Sequence, residues 1–319
     1  MVRQEPNPAN FHSGTPPHPP TPSPPEEEKG RRTIKYYPPM TFPDFELPST
    51  LVKAMDGRVT FALSLAVAAS RETLKFFRTS EFQVERKSDK SPVTRADKQT
   101  EQLVRSMVEK AFPSDAILGE EFGSVAGQSE FEWIIDPIDG TKSFISGVPL
   151  YSTLVGMTMA GQPQIGVITI PALGEIIIAA KGLGAWYGQA LPQTTGNKLS
   201  QAHVSKQSRL EDGLMVTSQV DNFSHRKAES AYRELEAEAY VSRTWGDGYG
   251  YLLVATGRAE VMVDPIVNPW DVAAVAPVIE EAGGCFSSWS GEFNIRAGHC
   301  IGSNGFVHEQ VLSRLRPFA

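Results

Sequence analysis

The sequence predicts an α/β protein with helices and sheets stacked in α/β/α layers, and three observations lead there. Apolar residues recur at helical spacing from Val59 to Phe77. Three β-rich runs, Tyr151–Met159, Pro163–Ile170 and Glu175–Ala180, are separated by turns at Gly161 and Gly174. From Gly213 onward, strand-like and helix-like segments alternate, as expected of helices covering a sheet.

Along the chain, residues 1–48 stand apart. They hold 13 of the 24 prolines, and an acidic triplet Glu26–Glu28 meets Lys29, Arg31 and Arg32. Such a segment buries too little apolar surface to offset its ordering entropy, so it is predicted to be a disordered Pro-rich extension. Docking of its P-x-x-P matches to a proline-binding partner is one alternative, and a start at Met40 or Met55 is another. The folded domain is predicted over 49–319, with an α+β half at about 49–195 and an α/β half at about 196–319. After the Val59–Phe77 helix, Lys87–Pro92 reads as turns, and Ala96–Ala111 as a helix. Ala116–Leu118 is a strand ending at Gly119-Glu120-Glu121. Trp133–Ile135 is a buried strand predicted to stop at Asp136-Pro137. In the second half, Gly213–Thr217, Tyr240–Ser242 and Glu260–Val263 read as strands. Arg226–Ala237 and Tyr249–Thr256 read as helices. A last helix opens at Asp271, with Val272, Val275, Ala276 and Ile279 on one face and Gly283-Gly284 as its stop.

The chain has 319 residues, 40% hydrophobic, with a net charge of -7. That is enough apolar material for a sizeable core. An acidic balance argues against a nonspecific nucleic-acid binder, which needs basic stripes. No run of about 18 apolar residues suggests a membrane span, and the start lacks a secretory pattern. Two isolated cysteines, Cys285 and Cys300, form no CxxC pattern. They are read as reduced thiols of a cytoplasmic protein.

The chemistry concentrates in Asp136-Pro137-Ile138-Asp139-Gly140-Thr141. Two carboxylates flank a stiffening proline directly after a buried strand. Hard divalent cations such as Mg2+ take such oxygen ligands. Gly140-Thr141 then opens a helix whose free N–H groups suit an anion. Glu120 lies at a strand end, and Asp271 follows Pro269-Trp270. Each has a plainer role when read alone: an acidic turn, a solvated Glu120–Glu121 pair, a helix N-cap at Asp271. All three in this order, each at the end of an element, point to a metal site. The six histidines are scattered without ligand or dyad spacing.

The blocks GEE (119–121), DPIDGT (136–141) and WDVAA (270–274) resemble the signature of the inositol monophosphatase family, relatives of fructose-1,6-bisphosphatase. The resemblance runs from about Thr60 to Leu312. It implies a layered α-β-α-β-α sandwich and a phosphomonoesterase using two or three Mg2+ ions per site. By matching position it implies that Glu120, Asp136 and the Ile138 carbonyl hold a first ion, and Asp136, Asp139 and Asp271 a second. Val93–Asp97 is similar to the family's VTxxD block, which implies an Asp97–Thr141 hydrogen bond that readies the attacking water. Water would then attack phosphorus in line, with the Gly140 and Thr141 N–H groups on the phosphoryl oxygens. Family resemblance also implies a homodimer.

The block Arg243–Tyr251, with Val263-Asp264-Pro265 and Asn268-Pro269-Trp270-Asp271, resembles the histidinol-phosphate phosphatase branch of this family. Asp247, Asp264 and Asn268 would offer acceptors for an ammonium and an imidazole, although inositol hydroxyls can use them too. Their plainer roles are a helix cap, a turn acid and a loop residue. Trp245 and Trp270 are read as packing groups. The expected substrate is a small phosphate ester, L-histidinol phosphate. An inositol-1-phosphatase of broad specificity is the alternative, and a non-catalytic regulatory protein on the same fold a distant one.

Overall fold

The computed structural model describes residues 42–79, 84–86, 92–190 and 197–319. Most of the Pro-rich extension and the turn residues 87–91 lie outside the described residues. The expected boundary at 48/49 falls inside the packed chain, because Phe42 and Phe45 are buried in the first core and Glu46 bridges to Lys198.

Helix α1 (Arg58–Leu74) forms as expected, with Val59, Ala62, Leu63, Ala66, Ala69 and Thr73 on its buried face. Helix α2 (Arg95–Ala111) begins at a capping box: the Thr94 side chain accepts from the Ala96 N–H and Asp97 returns to Thr94. Strands β1 (Val84–Arg86) and β2 (Pro92–Thr94) pair as an antiparallel ladder.

The first sheet contains β3 (Ala116–Gly119), β4 (Gly123–Val125), β5 (Phe131–Asp139), β6 (Ser152–Met159), β7 (Gln162–Ile170), β8 (Glu175–Ala180), β9 (Ala185–Gln189) and β10 (Ser200–Gln201). Their spatial order is 10-9-8-7-6-5-3-4. The second sheet contains β11 (Leu214–Val216), β12 (Val241–Arg243), β13 (Val261–Asp264), β14 (Cys285–Ser287) and β15 (Cys300–Ser303), in the order 12-11-13-15-14. The remaining helices used below are α3 (Thr141–Ile145), α4 (Glu229–Glu238), α5 (Asp247–Ala255), α6 (Pro269–Val272), α7 (Val275–Glu281) and α8 (His308–Leu315).

The period-two alternation of the strands sorts side chains into three cores. Trp133, Ile135, Val155, Met157, Val167 and Ile178 face α1 and α2. Their neighbours Ile134, Leu154, Ile168 and Ile177 face the opposite way, onto α5, α7 and the near face of the second sheet. Met215, Val261, Val263 and Ile301 form the far face, covered by α4 and α8. The result is the expected α-β-α-β-α sandwich. Each fully buried branched side chain contributes about 1.5–3 kcal/mol, so a charge at Ile134 or Leu154 would open the central layer.

Two glycines set how closely that layer packs. Gly156 and Gly166 pair across β6 and β7. A Cβ on Gly156 would stand 2.8 Å from the Ala273 carbonyl carbon, and one on Gly166 would overlap the Ala274 carbonyl. The Asp271–Ala274 stretch therefore lies directly on the first sheet.

Two helix expectations shift. Helix α4 starts at Glu229 instead of Arg226, because Lys227 adopts φ 59° and interrupts the helical path. Asp271 does not open a helix. It is the third residue of α6, with Asn268 as the capping position, and a break at Ala273-Ala274 separates α6 from α7.

Candidate active site

A cleft of about 370 Å3 is lined by Glu120, Asp136, Ile138, Asp139, Gly140, Thr141, Asp247, Asp264, Asn268 and Asp271, so every expected site residue except Asp97 meets there. Lys142, Ser218, Gln219, Thr244 and Tyr251 line it too.

Strand β5 does not stop at Pro137 but continues to Asp139. In a regular strand, residues three apart face opposite sides. Here Asp136 pairs with Leu154 and Asp139 with Ser152, so three steps on β5 match two on β6. This bulge resets the alternation and turns both carboxylates to one side. Thr153 Oγ1 holds the bulge by donating to the Pro137 carbonyl at 2.8 Å. The Ile138 side chain is buried in the first core. Its N–H donates to Asp136 Oδ1 at 3.0 Å. Asp139 Oδ2 accepts from Ser152 Oγ at 2.6 Å and from the Gly248 N–H at 2.5 Å.

Asp271 Oδ2 accepts from the Asn268 N–H at 2.7 Å, which fixes its direction. One carboxylate oxygen from each of Asp136, Asp139 and Asp271 lies within 4.8 Å of the others. Glu120 enters from the turn after β3, and its charge acts on Asp136 more strongly than that of any other acid. Burial first, and then this mutual repulsion, holds Asp136 and Asp139 well above the usual carboxylate range. Burial likewise pushes Asp271 up to about 7, with Glu120, Asp264 and Asp247 adding to the rise. Unlike surface acids, these groups crowd together against their own repulsion, and their all-oxygen donor set matches a hard divalent cation. The residues present fit Mg2+.

Gly140 adopts φ 83°, and a Cβ there would stand 2.6 Å from Asp247 Oδ2, so glycine is required on both counts. The first N–H groups of α3 face no carbonyl of their own helix. Asp247 itself holds φ 54°, an uncommon conformation for a residue with a side chain. Its N–H donates to Ser218 Oγ at 2.8 Å. Burial raises its carboxyl, opposed by Ser218 and the Lys142 charge. Asp264 ends β13. Its Oδ2 accepts from the Tyr251 hydroxyl at 2.8 Å and its Oδ1 from the Ser218 N–H at 3.3 Å. Tyr251 in turn accepts from the Cys300 thiol at 2.8 Å. Burial pushes Asp264 up to about 6.

One expectation fails. Asp97 does not bond to Thr141. Asp97 Oδ2 accepts from Thr94 N and Oγ1, at 2.8 and 2.6 Å, while Oδ1 is buried without a partner. Thr141 Oγ1 donates instead to the Ile138 carbonyl at 3.2 Å. The capping box fixes Asp97 through Oδ2, and the Thr141 hydroxyl turns its proton to the Ile138 carbonyl, so Oδ1 receives no bond from it. Burial pushes Asp97 up to about 6. Ser152, Ser218, Tyr251 and Lys142 were not foreseen. Lys142, next to Thr141, and Tyr251, the last residue of the 243–251 block, carried a positional signal. The cysteines are unbridged, and among the described residues no helix is long and apolar enough to cross a membrane.

Fold and cleft together define the class: an enzyme that hydrolyses phosphoric monoesters. The chain belongs to the inositol monophosphatase family, whose sequence profile matches residues 55–317. A protein of Chlorobaculum parvum called histidinol-phosphatase is 40% identical over 262 residues, covering 82% of this chain and 97% of the relative. A protein of the same name from Streptomyces coelicolor is 36% identical, covering 79% and 94%. A solved IMPase of Thermotoga maritima superposes with a TM-score of 0.70 at 27% identity, covering 82% of this chain and 97% of that one.

Proposed function

We propose that the protein hydrolyses L-histidinol phosphate to L-histidinol and phosphate, with Mg2+ held by Glu120, Asp136, the Ile138 carbonyl, Asp139 and Asp271. The observation that carries the substrate is the placement of two further carboxylates, Asp247 and Asp264, in the same cleft. An ammonium and an imidazole both donate hydrogen bonds, and charged acceptors strengthen such bonds about twofold. The relatives called histidinol-phosphatase support the same reading.

When bound, the cation polarises the phosphoryl oxygens and lowers the pKa of water. The protein's own groups do the rest. Asp136 and Asp139 share one side of the β5 bulge and converge on the reacting end of the ester. The N–H groups at Gly140 and Thr141 hold non-bridging oxygens where charge accumulates. Thr141 Oγ1 donates to Ile138, so its lone pairs remain to accept from a water and orient it. Asp247 and Asp264 bind the donors of the leaving alcohol.

A second reading, inositol 1-phosphate, is favoured by the neutral groups Ser218, Gln219 and Thr244 in the same wall. Turnover of histidinol phosphate, inositol 1-phosphate and fructose 1,6-bisphosphate with Mg2+ separates the two. We expect kcat/KM for histidinol phosphate to lead by more than about tenfold, one charge-assisted contact's worth. A lead for inositol 1-phosphate would sink the first reading. The homodimer and the cytoplasmic location belong to this proposal, and light scattering reads the former.

A further inference from the structure

Glu101 has no exposed surface, yet no step above uses it. It lies one helical turn after Asp97 on the same buried face of α2. Its Oε1 accepts from Arg105 Nε at 2.7 Å and from the Phe122 N–H at 3.1 Å, and its Oε2 accepts from the Glu121 N–H at 2.7 Å. Arg105 is itself almost buried, and its Nη2 reaches the Gly123 carbonyl. On the other side, a Cβ on Gly119 would overlap the Glu101 carboxylate and stand 2.9 Å from Arg105 Nη2. Residues 119–123 are thus gripped at Gly119, Glu121, Phe122 and Gly123 by two side chains of one helix. Glu120 is the residue of that turn that lines the cleft.

We propose that the Glu101–Arg105 pair is a positioning clamp that fixes the turn carrying Glu120, and so sets the affinity for the divalent cation. Neither Glu101 nor Arg105 lines the cleft. A buried carboxylate is stable here because Arg105 neutralises it and two backbone N–H groups complete its acceptors. Those bonds in turn fix the two residues after Glu120, so its carboxylate enters the cleft from a rigid backbone. Glu101→Gln keeps the shape but turns one acceptor into a donor facing N–H groups. The turn must then move away from one of them.

The inference rests on reading Glu120 as a metal ligand, and the test keeps the two apart. Mg2+ affinity is measured on the full chain by titration calorimetry and by the rise of melting temperature with Mg2+, alongside the melting temperature in chelator. We expect Glu101→Gln to weaken Mg2+ by about tenfold or more, within the range for residues that orient ligands, and Glu120→Gln to weaken it at least as much. Arg105→Lys retains the charge without the fork and should give a smaller shift, which reads the same effect if Glu101→Gln does not fold. If Glu120→Gln weakens Mg2+ but Glu101→Gln and Arg105→Lys lower only the chelator melting temperature, the clamp is merely structural and the inference is overturned. If Glu120→Gln leaves Mg2+ affinity unchanged, the metal assignment of Glu120 falls, and the inference with it.

Discussion

Gly166 and Ala274 meet backbone to backbone: the α-carbon of one packs against the carbonyl of the other, with no room for a methyl group between them. The contact lies three residues after Asp271, so the height of that carboxylate above the first sheet depends on a hydrogen atom in β7.

Gly166→Ala should therefore act at a distance. We expect a loss of about 1–3 kcal/mol in urea unfolding, as for other overpacked cores. Turnover should fall by roughly 100-fold, since about 1 Å of misplacement suffices for that. Normal kcat in a destabilised variant would show that Asp271 does not depend on this contact.

Asp271→Asn should lower turnover by roughly 100-fold or more, beyond the range for residues that only support a ligand. In chelator the same variant should melt higher than the parent at pH 8. The folded-state pKa of Asp271 is raised from 3.8 to about 7. Between those values the folded state holds more protons than the unfolded one, so stability falls as pH rises through about 4–7. Removing the carboxyl removes that loss. A variant that melts lower at pH 8 and in chelator would contradict the repulsion.

His299 should act in the opposite sense. It is buried against Trp289, and its Nδ1 accepts from the Trp289 N–H at 3.0 Å, which requires the neutral ring. Burial lowers its pKa from 6.5 to about 4. The unfolded state then binds the extra proton, so this contribution is complete above about 6.5 and is lost as pH falls towards 4. The difference in melting temperature between the parent and His299→Gln should shrink from pH 7 to pH 4. A constant difference would mean that the ring is not held neutral.

Asp247→Asn and Asp264→Asn should each raise KM for histidinol phosphate by roughly 10–100-fold, from a charge-assisted bond of about 1.5–3 kcal/mol. Inositol 1-phosphate should be affected much less, and steady-state kinetics on both esters checks this. Equal effects on the two esters would assign these acids to the fold and not to recognition.

Much of this was legible in the sequence. The blocks at Glu120, Asp136–Thr141 and Asp271 name the cleft because each falls at the end of an element, where side chains leave the core. The α/β layering followed from strand-like and helix-like segments interleaving along the chain, and the five-layer order from the family resemblance. It could not come from polar alternation, because β6 to β8 are buried almost throughout. The absence of an Asp97–Thr141 bond was not legible: Thr94-x-x-Asp97 is also a capping-box pattern, and nothing in the sequence shows that the Thr141 hydroxyl turns to the Ile138 carbonyl. The boundary at 48 went wrong because composition averages over a window, while Phe42 and Phe45 are two residues with a pocket to fill. Glu101 went unread because a carboxylate inside an amphipathic helix looks like a surface residue until its partners at 121 and 122 are in place.

The three clustered carboxylates come from distant parts of the chain: Asp136 and Asp139 from the end of β5, and Asp271 from α6, which follows β13. An unfolded chain would have to close the long intervening loop to gather them, at an entropic cost that no preformed local turn reduces. A cation held by all three therefore recognises the assembled chain, because Asp271 meets Asp136 and Asp139 only when the helix that carries it is docked on the first sheet. By mass action it stabilises only the assembled form, by RT ln(1 + [Mg2+]/Kd). An ion bound there would thus act as a clasp across the cleft, added to the apolar core that already joins the two sheets.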